Sequence, residues 1–403
     1  MISVEEARAR ILAGFAPLAP ETVALAAAHG RALAEDLVAR VTQPPSAVSA
    51  MDGYAARAAD VARVPAVLRR VGEAPAGGAY DGTVGPGECV RIFTGGPVPA
   101  GADAIVLQEN TTVDGERITV NETVAAGKHI RVAGLDFKAG DIALRAGRAL
   151  SARDVGLAAA INRPWVAVRR RPRVAVLANG DEVVMPGDPI GANQIVSSNA
   201  LALMGLIEAW GGVAINLGIA PDTAEGLQQM AAGARGADVL VTTGGASVGD
   251  RDLVRHALGA KGLAIDFWQI AMRPGKPLMF GKLGDTPVLG LPGNPVSSYV
   301  CALLFLRPAL LHMQGLPTAM DFAEARLGRD LKANDHRADF LRATLARDES
   351  GTPVATPFPV QDSSMMSLLA RADCLVHRAP NAPAVRAGET VPTLPLAGGL
   401  VSI

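Results

Sequence analysis

Cysteine is scarce. Cys89, Cys301 and Cys374 are the three in 403 residues, and they lie far apart, with no CxxC pair and no histidine at zinc-ligand spacing. Neither a disulfide framework nor a structural zinc site is therefore expected, and a reducing, cytoplasmic setting is. Net charge is nearly absent as well: 38 basic and 39 acidic residues leave −1. Such a chain exerts no general pull on nucleic acid or on an anionic membrane, so neither partner is expected and any anion site must come from local placement of donors. Long apolar runs are missing too. The stretch from Tyr299 to Leu306 is stopped by Arg307-Pro308 and is too short to span a bilayer. The start, MISVEEARARILAGF, reads as a charged amphipathic segment rather than a signal peptide. Lysine is rare, six residues against 32 arginines. There is no G-x-G-x-x-G fingerprint, Walker A loop or H-E-x-x-H motif, and six scattered histidines support no Ser-His-Asp arrangement.

What is present describes a folded chain. Hydrophobic residues make up 49% and charged ones 19%, which excludes a disordered polar chain. The length suggests about three domains. Forty-four glycines and 28 prolines are dispersed without a short period, so collagen and Pro-rich tails are excluded.

The texture changes along the chain. Ser3 and Glu6 form an S-x-x-E capping box that starts a helix running toward Phe15. From about residue 44 to 145, short apolar stretches alternate with Gly and Pro, and Asp114-Gly115 between TTV and RITV signals a hairpin. A helix is predicted from Ala152 to Ile161, with Ser151 as its cap. Residues 172–315 alternate strands and helices: RVAVLA, a helix from Asn199 to Trp210 stopped at Gly211-Gly212, VAINLGI, an Asp222-led helix, and DVLVTT. That rhythm predicts a parallel, doubly wound α/β sheet, with ligands outside the carboxyl ends of its strands. After Pro317 the chain is β-like again.

Several loops carry chemistry. In the first, Thr242 to Asp252, glycines Gly244 and Gly245 allow close backbone approach. Ser247 offers a hydroxyl there, and Asp250 and Asp252 offer carboxylates for Mg2+ beside a phosphate. A tight βα turn with N-capping aspartates would read the same way. In the second, Leu291 to Ser298, Asn294 suits an N-cap, Pro295 suits the first turn, and Ser297 and Ser298 follow, which together make an anion site or simply a capped helix. Between them Met272 to Leu278 presents Arg273 and Lys276 from a Gly/Pro-fixed loop. Lys282 reads as a solvated strand-end charge. SAMDGYA carries Asp52, and a Gly/Pro loop begins at Thr94; each alone is a turn.

Taken in order, AMDGYA, TGGPVPAGADAIVLQE, Gly180-Asp181-Glu182, Asn193-Gln194-Ile195, GGASVGDRD, RPGKPL and LPGNPVSS resemble the MoeA family across essentially the whole chain. That family is similar to the E domain of gephyrin. The resemblance implies a multidomain chain, α/β plus β. Domain I, small and helical, would take residues 1–43 and 146–171, and an inserted β-rich domain II residues 44–145. A MogA-like doubly wound α/β domain III would span 172–317, and a β-barrel domain IV 318–403. It also implies a reaction: molybdate is inserted into adenylylated molybdopterin with Mg2+-dependent release of AMP.

By carry-over, Arg273, Lys276, Ser297 and Arg342 face molybdate. Asp250, Asp252, Glu182 and Asp52 serve catalysis, the first three also as metal ligands. Thr94, Asp136, Gly244, Gly245, Ser247, Asn294 and Ser298 bind substrate. A homodimer is implied, with domain II of one subunit completing the site on domain III of the other, and a MogA-type adenylyltransferase is a possible partner. Adenylyl transfer itself and a non-catalytic scaffold are the competing readings. Three positions depart from the family pattern: Ala246 replaces a usual Val, Asn179 a usual Thr, and Leu368 a Ser that would offer molybdate a hydroxyl.

Overall fold

The computed structural model describes residues 1–75, 77–244 and 253–396. Its centre is a six-stranded sheet in the order Val213–Ala220, Arg173–Asn179, Val239–Thr243, Thr286–Leu291, Pro277–Leu283, Leu263–Gln269. The strands alternate strictly between two cores. Val174, Val176, Val239 and Val241 face one side, with Leu203, Ile207 and Val300. Ala175, Leu177 and Leu240 face the other, with Leu227, Ala231 and Val254. Period-two burial on both faces is what a sheet covered by helices on both sides requires.

The sheet is not wholly parallel, as the strand–helix rhythm had predicted. Its first four strands are parallel, but Pro277–Leu283 runs against them, pairing antiparallel with Thr286–Leu291 on one side and Leu263–Gln269 on the other. The reason is local. Leu283 pairs with Thr286 across a two-residue turn that has Gly284 at φ +60, and so short a link permits only antiparallel pairing. The helix expected to begin at Asp222 begins instead at Ala224, where the Thr223 hydroxyl accepts from the Gly226 N–H.

The apolar run after Pro295 is longer as a helix than its sequence bounds implied. Pro295–Cys301, Ala302–Leu306 and Arg307–Met313 are consecutive, the middle segment wound as a π-helix. Pro308 has no N–H to give Leu304 and its ring crowds that carbonyl, so the turn ahead of it widens. The 19-residue whole is long and apolar enough to cross a membrane by length and composition, but 78% of the qualifying window is buried inside the protein.

The first helix, Val4–Ala13, is capped by Ser3 as predicted. It buries Val4, Ala7 and Ile11 in the α/β core with Phe280 and Met313. The Ala271 N–H donates to the Ile2 carbonyl and the Leu18 N–H to the Met313 carbonyl. The module around residues 20–43 and 130–170 is mixed rather than helical. It pairs Pro20–Ala24 with Trp165–Arg169 and has one α-helix, Ala152–Ala160, with a reciprocal Ser151–Asp154 capping box. The inserted module is a six-stranded sheet. Its Thr111–Asp114 and Arg117–Val120 strands join through Gly115 at φ +62.

At the other end five strands close on themselves. Ala338–Arg347 pairs with both Pro353–Pro357 and Cys374–Arg378, and Ala323–Leu327 and Thr390–Pro395 complete the barrel. Met272–Arg273 adds to Ala338-Asp339 in parallel and ties the barrel to the α/β unit. All three cysteines are buried free thiols.

Candidate active site

Three parallel strands, Arg173–Asn179, Val239–Thr243 and Thr286–Leu291, end at one cleft of about 770 Å³. Two helix starts open into it, Ser198-Asn199 and Asn294-Pro295. Helix N-termini present free N–H groups and positive dipole ends, which favour an anion. Asn199 Nδ2 joins the walls, donating to Thr243 Oγ1 at 2.9 Å and to the Gly293 carbonyl at 2.7 Å. Gly244 has φ +94, and a Cβ there would lie 2.6 Å from the Asn179 carbonyl oxygen. The close approach made here is to the neighbouring strand end rather than to a ligand.

The loop Met272 to Pro277 forms another wall. Gly275, at φ +112, lies against buried Cys301, whose Sγ would be 2.5 Å from an added Cβ. The Lys276 carbonyl accepts from the Ile270 and Leu278 N–H groups. Its backbone is therefore fixed, while its ammonium lines the cleft and has no hydrogen-bond or ion-pair partner among the described residues.

Of the residues expected to act, Glu182, Gly244, Arg273, Lys276, Asn294 and Ser297 line this cleft. Gly245, Ser247, Asp250 and Asp252 lie outside the described residues. Three expectations need correction. Arg273 reaches the cleft, but its guanidinium is already committed: Nε and Nη2 donate to the two Asp339 oxygens at 2.6 and 2.7 Å, and Asp335 lies 3.2 Å from Nη1. Arg342 is 1% exposed; its Nε donates to Gln361 and its Nη1 to the Met365 carbonyl, both at 3.3 Å, so it shapes the 361–365 segment from behind. Ser298 is also 1% exposed and faces a void beside Tyr299 instead of the cleft, with its hydroxyl unpartnered. Being adjacent to cleft-lining Ser297, it is turned about 100° around the helix into the core.

Asp52, Thr94 and Asp136 are not brought to the cleft within one chain. Asp136 lines a separate hollow of about 470 Å³ on the inserted module, beside Gln43 and Arg131. Asp52 and Thr94 form a pair. Asp52 Oδ1 accepts from the Thr94 N–H at 2.7 Å and its hydroxyl at 2.9 Å. These donors hold the carboxyl below the usual carboxylate range, the backbone N–H contributing most. A depressed value favours the folded form at neutral pH, and that contribution is lost as pH falls through it. Thr94→Val removes the hydroxyl donor but keeps the N–H. An NMR titration should therefore find the Asp52 midpoint raised toward, but still below, the ordinary aspartate value; an unmoved midpoint would show that the hydroxyl contributes nothing.

Sequence reasoning missed part of the lining. Asn179, Ser197, Ser198, Asn199, Ser363, Ser364 and Met366 all contribute. Asn294 occupies the N-cap of its helix as expected, but its side chain makes no capping bond; its Nδ2 donates to Ser363 Oγ at 2.8 Å. Leu368, the position where the resemblance implies a hydroxyl, is half-buried and does not line the cleft. The Asp-Ser-Ser run at 362–364 was the available signal, since small hydroxyl residues in a loop suit an anion.

Comparison with known proteins agrees with this architecture. Residues 2–162 match a family described as MoeA N-terminal region (domain I and II). Residues 175–312 match a probable molybdopterin binding domain, and residues 324–396 match the MoeA C-terminal region (domain IV). A molybdopterin molybdenumtransferase of Haemophilus influenzae is 33% identical over 396 residues, 97% of this chain and 98% of the relative. One from Nostoc is 36% identical over 335 residues, 81% of this chain and 77% of the relative. The crystal structure of a molybdopterin biosynthesis MoeA protein from Pyrococcus horikosii superposes with a TM-score of 0.86 at 29% identity, covering 99% of this chain and 100% of that one.

Proposed function

We propose, on the premise that this chain belongs to the MoeA family, that it is a molybdopterin molybdenumtransferase of molybdenum cofactor biosynthesis and that the 770 Å³ cleft is its site. The carrying observation is Lys276: an ammonium with no partner among the described residues, in a cleft that two helix N-termini also line. Molybdate is a tetrahedral dianion, and a positive group with hydroxyls and backbone donors around it is the environment such an ion needs. Ser297 and Ser363 add side-chain hydroxyls to the lining.

The substrate of this proposal is molybdopterin carrying an adenylyl group. Water cleaves the pyrophosphate bond, AMP leaves with one phosphate and the other stays on the pterin; the two dithiolene thiols then bond to molybdenum, their protons leaving with one molybdate oxygen as water. Magnesium is held in proteins through one or two carboxylates together with substrate phosphates. Glu182 is the carboxylate of the described lining, and no group of three or more metal-ligating side chains occurs among the described residues. This donor set fits an ion that arrives with the phosphates, with Glu182 as one protein ligand and Asp250 and Asp252 as the others proposed. When bound, magnesium would neutralise phosphate charge as AMP departs. A cytoplasmic location beside a MogA-type enzyme that supplies the adenylylated pterin completes the reading.

The site also needs a second subunit. Asp52 and Thr94 are held in a defined pair away from the cleft of their own chain. A C2 homodimer would set them against the partner's domain III. The decisive experiment supplies adenylylated molybdopterin, molybdate and Mg2+ and follows AMP. Release that depends on molybdate supports the reading; adenylyl transfer would instead show as adenylylated molybdopterin and pyrophosphate formed when molybdopterin and ATP are supplied. At molybdate concentrations too low for Lys276→Met alone to turn over efficiently, mixing Asp52→Asn and Lys276→Met protomers should raise activity above that of either homodimer, because each heterodimer regains one intact site. A monomer by light scattering, or no gain on mixing, would sink the shared-site arrangement.

A further inference from the structure

Arg273 has the wrong neighbours for a free anion ligand. Its fork on Asp339 is bidentate, Nη2 also donates to Asn334 Oδ1 at 3.0 Å, and Asp335 lies beside Nη1. Asp339 is itself 12% exposed at its side chain. Two carboxylates surround one guanidinium, so the cluster carries no surplus positive charge for a dianion. Arg337 offsets the second carboxylate, donating from Nη2 to Asp335 at 2.9 Å. That contact, with the Arg337 backbone N–H, holds the Asp335 carboxyl at about 2.

The placement of this cluster gives it a different use. Arg273 belongs to the loop that carries Lys276, and Asp339 to the barrel. The barrel's 361–366 segment supplies Ser363, Ser364 and Met366 to the same cleft, with Ser363 bonded to Asn294 and Val296 at the start of the Pro295 helix. Asn334 Nδ2 anchors the acceptor side, reaching the carbonyls of Arg337 at 2.7 Å and Ala379 at 2.9 Å. A bidentate Arg–carboxylate pair fixes orientation as well as distance.

We infer that Asp339 is a positioning residue for the proposed reaction: through Arg273 it latches the barrel to the Lys276 loop and so sets the spacing between the lysine and the serine wall. The inference rests on the proposed site, but the latch can be tested without turnover. It makes an opposite prediction to the view of Arg273 as an anion ligand. Asp339→Asn removes a negative charge and frees the guanidinium, so a ligand role would tighten molybdate binding. The latch requires weaker binding, by about tenfold, the scale of losing one charge-assisted contact, with Asp339→Glu restoring part of it.

Molybdate alone is titrated calorimetrically against the full-length wild type, Asp339→Asn and Asp339→Glu. In parallel, spin labels are placed at Leu201→Cys on the α/β unit and Val360→Cys near the barrel, both exposed positions. The native cysteines are buried and leave the introduced ones selective. The interlabel distance distribution should be narrow in the otherwise unchanged protein. It should broaden with Asp339→Asn and equally with Arg273→Gln, and no further when the two are combined. Unchanged distribution widths, or molybdate bound as tightly or more tightly by Asp339→Asn, would overturn the latch. Absence of molybdate binding to the wild type would count against the proposed function, and the label distances would then decide the latch alone.

Discussion

Lys276→Met is expected to raise the molybdate concentration for half-maximal rate by roughly ten- to 150-fold, since a charge-assisted hydrogen bond is worth ~1.5–3 kcal/mol. The structure sharpens the case for so large an effect. Of the two cations that line the cleft among the described residues, Arg273 is neutralised by Asp339 and Asp335. Arg342, the third cation expected there, is buried behind the barrel segment. Among the described residues no other side chain can replace the lost charge; only the helix N-termini remain, each equivalent to about half a charge. Pterin affinity should change much less, because methionine keeps the length of the stem. Lys276→Arg restores the charge but not the compact ammonium, and should fall between the two. Equal molybdate dependence in wild type and Lys276→Met would mean the anion binds elsewhere.

Gly53→Ala should damage the inserted module more than its size suggests. Gly53 lies in the strand next to Asp52, hydrogen-bonded between Glu88–Ile92 and Ala104–Leu107. An added Cβ would lie 1.9 Å from the Val106 carbonyl oxygen and 2.9 Å from its carbon. Both are backbone atoms of the neighbouring strand, so no rotamer change relieves the clash and the strands must separate. Overpacking of this kind costs about 3 kcal/mol, the upper end of the usual range. Hydrogen exchange should show faster amide exchange at residues 53–56 and 104–107, together with loss of the Asp52–Thr94 pairing. Gly156→Ala is the contrasting control: it lies in the helix Ala152–Ala160 with open space beside it and should stabilise by ~0.5–1 kcal/mol. Unaltered protection in Gly53→Ala would show that the strands yield without cost.

The sequence carried local features well and distant ones poorly. Ser3, Ser151 and Gly115 act where their neighbours predict, because caps and turns are settled within a few residues. The loops holding Glu182, Gly244 and Asn294 could be read as strand-to-helix junctions, and such junctions meet at one edge of a parallel sheet, whereas Lys276 stood out as a rare lysine in a Gly/Pro-fixed loop that joins two strands. The antiparallel edge was missed because Pro277–Leu283 and Thr286–Leu291 look like any buried strands, and only the two-residue link between them fixes their direction. The Arg273 partners were invisible for another reason. Asp339 is 66 residues away, and no local pattern says which of many carboxylates a long flexible arginine will find. Ser298 shows the limit at its shortest range: one residue from a cleft hydroxyl, it points into the interior.

The first helix leaves the ribosome long before its seat exists. Val4, Ala7 and Ile11 pack against Phe280 and Met313, so about 300 residues must be made before the groove is complete. At ~5–20 residues per second this is roughly 15–60 s during which the segment has no native partner. The same dependence limits dissection of the protein. A fragment cut at residues 172–317 would keep every strand of the central sheet yet expose the apolar groove that this helix covers. Its poor solubility would then reflect a missing N-terminal plug rather than an unstable α/β unit, and fragments meant for binding studies should carry residues 1–18 joined or supplied as a peptide.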